Sequence, residues 1–159
     1  MFGVLIFASK LAFPTPFDKA MVIVQALMLA LGSLLLGRLG ATYTALVGGL
    51  LTTVIRPLFF PLTLIFAVLY GLLVDGFLTI LKVKSSGSVK ETRLVLSTTL
   101  STSLIGLISY YFSVFVLQLL PRNLIIEIAI LSAGTVSGAI GGWLAVFVWK
   151  RGLQKFASS

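Results

Sequence analysis

LIIEIAILSAGTVSGAIGGWLAVFVW, residues 124–149, holds one charged side chain, Glu127, and runs straight into Lys150 and Arg151. As a helix this stretch rises ~39 Å at ~1.5 Å per residue, more than the ~30 Å hydrocarbon core of a bilayer. The rest of the chain has the same character. Of 159 residues, 58% are hydrophobic and 10% charged, against roughly 45–50% and about 25% in ordinary globular domains. One small water-soluble core cannot hide that much apolar surface. The expected fold is an all-α integral membrane protein, a six-transmembrane-helix bundle formed as a single transmembrane domain over residues 1–159.

Turn residues divide the apolar stretches. The first helix is expected over about 2–13, ending where Pro14 and Pro16 push the chain out of the helical region. No basic residue precedes Met1–Ala8 and Lys10 interrupts it, so this stretch is expected to be a retained helix and not a cleaved signal. The second, about 20–36, closes at Gly37 and Gly40, which permit a sharp reversal. The third, about 41–55, stops before Pro57 and is short for a crossing. The fourth covers about 58–81, with Pro61 near its start. Lys82–Arg93 is the one markedly hydrophilic loop; the fifth helix, about 94–120, and the sixth, about 124–149, follow it.

Composition excludes several chemistries. The chain has neither Cys nor His, which removes disulfides, thiolate or imidazole metal sites, Cys nucleophiles and His bases. Its four acids, Asp18, Asp75, Glu91 and Glu127, are scattered, so no metal site, no cofactor and no enzyme is expected. No Walker A sequence is present. The net charge of +8 lies at the ends of apolar runs, where lipid headgroups explain it better than nucleic acid does.

Six crossings place both termini on one side. With that side inside, the inner segments hold Arg38, Lys82, Lys84, Lys90, Arg93, Lys150, Arg151 and Lys155; the outer ones hold Lys10, Lys19, Arg56 and Arg122. Eight against four predicts a multi-pass plasma-membrane protein with cytoplasmic termini. The proline-bearing loops 14–19, 56–57 and 121–123 are then outside, a plausible lid over the bundle.

Gly134, Gly138 and Gly142 line one face of the last helix at four-residue spacing, with Gly141 beside them. Such a strip lets a second helix approach closely, and packing within the bundle is expected. Gly37, Ala41, Ala45 and Gly49 form a similar strip. Ala8 and Ala12 are also four apart, suited to internal packing or to a partner helix.

FPTPF (13–17), then Gln25, then LLLGRLGA (34–41) resembles the substrate-binding S components of energy-coupling factor transporters, as does GAIGGW (138–143) running into Lys150-Arg151. The resemblance implies a capture subunit that binds a vitamin-like small molecule at its outer face. It would then join a transmembrane coupling subunit and two cytoplasmic ATPases, which would supply the missing nucleotide chemistry. The family's Ala-x-x-x-Ala partner contact would fall on Ala8 and Ala12. Nickel and cobalt relatives use an N-terminal histidine region that this chain lacks.

Polar groups inside an apolar bundle are the candidates for ligand contact. Tyr110 and Tyr111 are expected in mid-helix, one available to stack on a flat heterocycle. Glu127, in the first turn of its helix, either pairs with Arg122 or meets a cationic ligand. Arg56 either snorkels to headgroups or points over the bundle. Gln25 makes an interhelical hydrogen bond or touches ligand, and Asn123 completes the set. Asp75 is expected to pair with Arg38 or Lys82, or to couple conformation to partners. The rival to solute capture is a non-catalytic structural or assembly subunit of a larger membrane complex.

Overall fold

The computed structural model describes residues 2–4, 6, 21–37, 39–55, 61–85, 88–118 and 122–153. Their order is α1 (Met21–Leu36), α2 (Gly40–Ile55), α3 (Leu62–Ile80), a ladder of β1 (Lys84–Ser85) with β2 (Ser88–Val89), α4 (Glu91–Phe115) and α5 (Leu124–Val148). A π turn over Trp149–Leu153 extends α5. Each helix packs on the next, and α5 returns to lie along α1.

Among the described residues three helices are long and apolar enough to cross a membrane: Leu62–Ile80, Glu91–Phe115 and the stretch Leu124–Arg151. In their most apolar windows only 33%, 33% and 17% of residues are buried, so most of the apolar surface faces outward. Val54, Ile80, Ile125 and Trp143 are among the large side chains left exposed. A surface of that kind is compatible with lipid as the surrounding solvent. α1 and α2, with 16 residues each, rise only ~24 Å.

Small residues set the contacts. In the α2–α3 pair, a Cβ on Gly49 would lie 2.9 Å from the Ala67 Cβ, and one on Gly71 would lie 2.8 Å from the Ala45 Cβ and 2.7 Å from the Thr42 Cα. Each four-residue step along α2 is thus matched by four residues in reverse along α3. α4 and α5 repeat the device. Cβ atoms on Gly134, Gly138 and Gly142 would meet Ser103 Cα at 3.0 Å, Thr99 Cα at 2.7 Å and Val95 Cα at 3.0 Å. Gly141, on the neighbouring face, lies against Ile23, Ala26 and Leu27 of α1. The glycine face of the last helix therefore packs inside the bundle, as its spacing predicts. Near the start of the chain, Gly3 abuts Val47 and Gly48, and Ile6 is buried.

The apolar core gathers Leu29, Leu34, Val74, Val83, Leu94, Ala145 and Trp149. The Ser and Thr hydroxyls of α4 do not form a polar channel wall: Ser97, Thr98, Ser101 and Thr102 each donate to a carbonyl of their own preceding turn. Thr102 also meets the buried Tyr70 hydroxyl at 2.7 Å, joining α3 to α4. The hydrophilic segment holds a small ladder, with Lys84 opposite Val89 and Ser85 opposite Ser88. α4 starts at Glu91, three residues before the sequence expectation, and ends at Phe115 instead of about 120, where Gln118 adopts φ +52°.

Candidate functional site

At the early end of α4 the hydroxyls of Ser97, Thr98, Ser101 and Thr102 donate to helix carbonyls. The late end differs. Tyr110 and Tyr111 lie in the last two turns of α4, not in mid-helix, because the helix stops at Phe115. The chain then reverses and enters α5 through Asn123, whose side-chain oxygen accepts the Ile125 amide at 2.9 Å as an N-cap.

Tyr110 fixes this corner. Its hydroxyl accepts the Asn123 amide at 3.1 Å and donates to the Asn123 carbonyl at 3.2 Å, and the residue is 2% exposed. One buried side chain thereby satisfies both backbone groups of the residue that begins the next helix. Beside it, the half-buried Tyr111 hydroxyl donates to the Glu127 carboxylate. Glu127 sits in the first turn of α5, where the helix dipole favours an anion. The Tyr111 ring stacks on Phe115 at 6.0 Å and lies 5.5 Å from the Tyr110 ring. A carboxylate with unused lone pairs next to a flat aromatic surface can accept hydrogen bonds from, or attract, a small polar or cationic group.

Four predicted residues, Tyr110, Tyr111, Asn123 and Glu127, thus converge on one corner. Glu127 takes Tyr111 as its hydrogen-bond partner and not Arg122, whose ion pair with it is one of its two readings from the sequence; Arg122 is exposed. Gln25 does not join them. It is level with Gly141, which touches Ile23 and Ala26, and Gly141 stands 14 residues along α5 from Glu127, ~21 Å of helix rise. Arg56, Ala8 and Ala12 lie outside the described residues.

A second polar locus occupies the opposite end of the bundle. The Asp75 carboxylate, on a residue 6% exposed, accepts the Ala41 amide at 3.2 Å, the Thr42 amide at 2.8 Å and the Thr42 hydroxyl at 2.8 Å. It caps α2 from α3. Among the described residues two amides and a hydroxyl hold it, and Lys82, one of the two cations named from the sequence, does not pair with it; the other, Arg38, lies outside the described residues. A cavity of about 240 Å³ adjoins it, lined in part by Ser33, Gly37, Leu39, Thr79 and Lys82. Gly37, Leu39 and Lys82 have φ of +80°, +66° and +47°, left-handed backbone that costs roughly 1–2 kcal/mol for the two with a Cβ. The signal for this clasp is the run Gly40-Ala41-Thr42, which opens α2 without a residue suited to N-cap it.

Comparison with known proteins returns no match: no family model, no curated protein and no solved structure is significantly similar to the chain.

Proposed function

We propose that the protein is the substrate-capture membrane subunit of an energy-coupling factor type importer, taking a vitamin-like small molecule at the corner built by Tyr110, Tyr111, Asn123 and Glu127. The observation that carries this reading is the Tyr111–Glu127 hydrogen bond beside a corner pinned by Tyr110. A solute bearing a hydrogen-bond donor or a positive charge would engage the remaining lone pairs of Glu127 while its flat part lies on Tyr111. The pinned helix ends spare the site much of the ordering cost of binding.

In this reading the chain crosses a plasma membrane six times with both termini cytoplasmic. The basic residues around the β-ladder and the end of α5 face inward, as the positive-inside rule favours. A transmembrane coupling subunit docks at Ala8 and Ala12, and cytoplasmic ATPases supply the energy.

Mass spectrometry of the denatured, purified protein is expected to find a retained small molecule. Calorimetry with that molecule is expected to show Glu127→Gln and Tyr111→Phe weakening it by about tenfold each, the worth of one charge-assisted hydrogen bond. Protein that is always empty and binds nothing in a broad vitamin screen refutes the proposal. That result favours the second reading, an assembly subunit that binds no solute. The observation on its side is that Tyr110, Tyr111, Glu127 and Asp75 all find partners within the chain.

A further inference from the structure

Trp143, Phe147 and Arg151 follow one another at four-residue spacing on the outward side of α5 and its terminal π turn. Trp143 and Phe147 are 61% and 41% exposed, and their rings stack at 6.0 Å with 22° between planes. The Arg151 guanidinium carbon lies 4.1 Å from the Phe147 ring centroid. The other tryptophan, Trp149, is buried in the core. An indole, a phenyl ring and a guanidinium thus form one continuous ladder, apolar at its inner rungs and cationic at its tip.

We propose that this ladder binds the phosphodiester headgroup of an anionic phospholipid in the leaflet at the β-ladder end of the bundle. A guanidinium seated over a ring still carries N–H donors that the ring cannot satisfy as acceptors, and its planar fork matches two phosphate oxygens. The ring also fixes the guanidinium before a ligand arrives, so less freedom is lost on binding. Trp143 lies eight residues earlier, ~12 Å deeper along the helix, where it meets the glycerol and upper acyl chain.

The surrounding charge has the matching sign. Glu91, the exposed acid among the described residues at this end, is paired with Lys150 at 2.6 Å. Exposed Lys82 and Lys90 add positive field to that of Arg151. A soluble phosphate would engage only the tip of the ladder, whereas a phospholipid also covers the two exposed rings. The inference rests on the membrane reading of the chain and is independent of any captured solute.

The test is native mass spectrometry of the full chain released from nanodiscs containing phosphatidylglycerol and phosphatidylcholine. Phosphatidylglycerol is expected to be retained over phosphatidylcholine, with Arg151→Gln lowering that preference about fivefold. Arg151→Lys, with the charge but not the fork, is expected to fall between the two. Phe147→Leu keeps the charge, removes the platform and is expected to reduce retention as well. The same preference in the wild type and both Arg151 variants overturns the proposal, as does a wild type with no preference. Displacement of the lipid by an equal concentration of glycerophosphate also overturns it, since the site then reads a soluble anion.

Discussion

Removing the Asp75 carboxylate tests whether α2 and α3 are held by a side chain capping a foreign helix. In Asp75→Ala the Ala41 and Thr42 amides lose their acceptor, and the Thr42 hydroxyl must find another. Hydrogen bonds to a charged acceptor are worth about 1.5–3 kcal/mol each in water-soluble proteins. Interhelical bonds in membranes average nearer ~0.6 kcal/mol, because separated helices find other partners there. Three bonds therefore bracket the loss between about 2 and 9 kcal/mol. Water reaching the vacated cap favours the lower half, so about 3 kcal/mol is expected. Asp75→Asn keeps one acceptor oxygen but turns its NH₂ toward N–H and O–H donors, and about 2 kcal/mol is expected. Thr42→Val removes one bond and leaves both amides capped, for about 1 kcal/mol. Reversible unfolding in mixed micelles measures the three losses, and hydrogen exchange reads the two amides directly. If all three variants fall within about 0.5 kcal/mol of wild type, and the Thr42 amide keeps its protection, the clasp contributes nothing and the reasoning fails.

The glycines supply a paired prediction. A Cβ at Gly138 would fall 2.7 Å from the Thr99 Cα and 2.8 Å from the Thr98 carbonyl. Backbone cannot step aside as a side chain can, so Gly138→Ala is expected to cost about 1–3 kcal/mol. Gly76→Ala meets nothing within 4 Å and is expected to raise stability by about 0.5–1 kcal/mol through helix propensity; unfolding midpoints in one detergent compare the two. At the Tyr70–Thr102 contact the loss depends on which partner is cut. Tyr70→Phe leaves Thr102 bonded to the Thr98 carbonyl and is expected to cost about 0.5–1 kcal/mol, whereas Thr102→Val strands a buried phenol and is expected to cost about 1–3 kcal/mol. Equal losses would show that the phenol has another outlet. Under the importer reading, tryptophan at Ala8 or Ala12 leaves solute affinity intact and stops uptake, which paired calorimetry and transport assays separate.

The helices were legible because apolar run length and glycine or proline punctuation are local signals. Gly37 and Gly40, Pro57 and Pro61, and Pro121 bracket the elements found, and the four-residue glycine period of the last helix gave its packing face. Helix ends were less so. Hydropathy predicts a helix to about Leu120, because nothing in Val116–Leu120 is polar enough to stop it except Gln118. The stop is conformational: Gln118 takes a left-handed backbone, which side-chain hydropathy does not encode. The β-ladder was hidden for a related reason, since two residues on each side are too few to show an alternating pattern.

The polar sites divide along the same line. Tyr110, Tyr111, Asn123 and Glu127 could be nominated singly as polar groups in an apolar chain, and the short turn between α4 and α5 then brings them together. Asp75 could be nominated too, but its partners could not, because they are backbone amides 33 and 34 residues away. Any carboxylate near a helix end is commonly assigned to the nearest cation; here Lys82 lost to a helix terminus. The reason lies in what each alternative leaves behind. Lys82, exposed at the bundle end, keeps its hydration if Asp75 goes elsewhere, whereas Ala41 is fully buried and its amide meets water only if the cap is vacated. In an apolar bundle the group that is shut off from solvent takes the acceptor, and Lys82 remains at the surface.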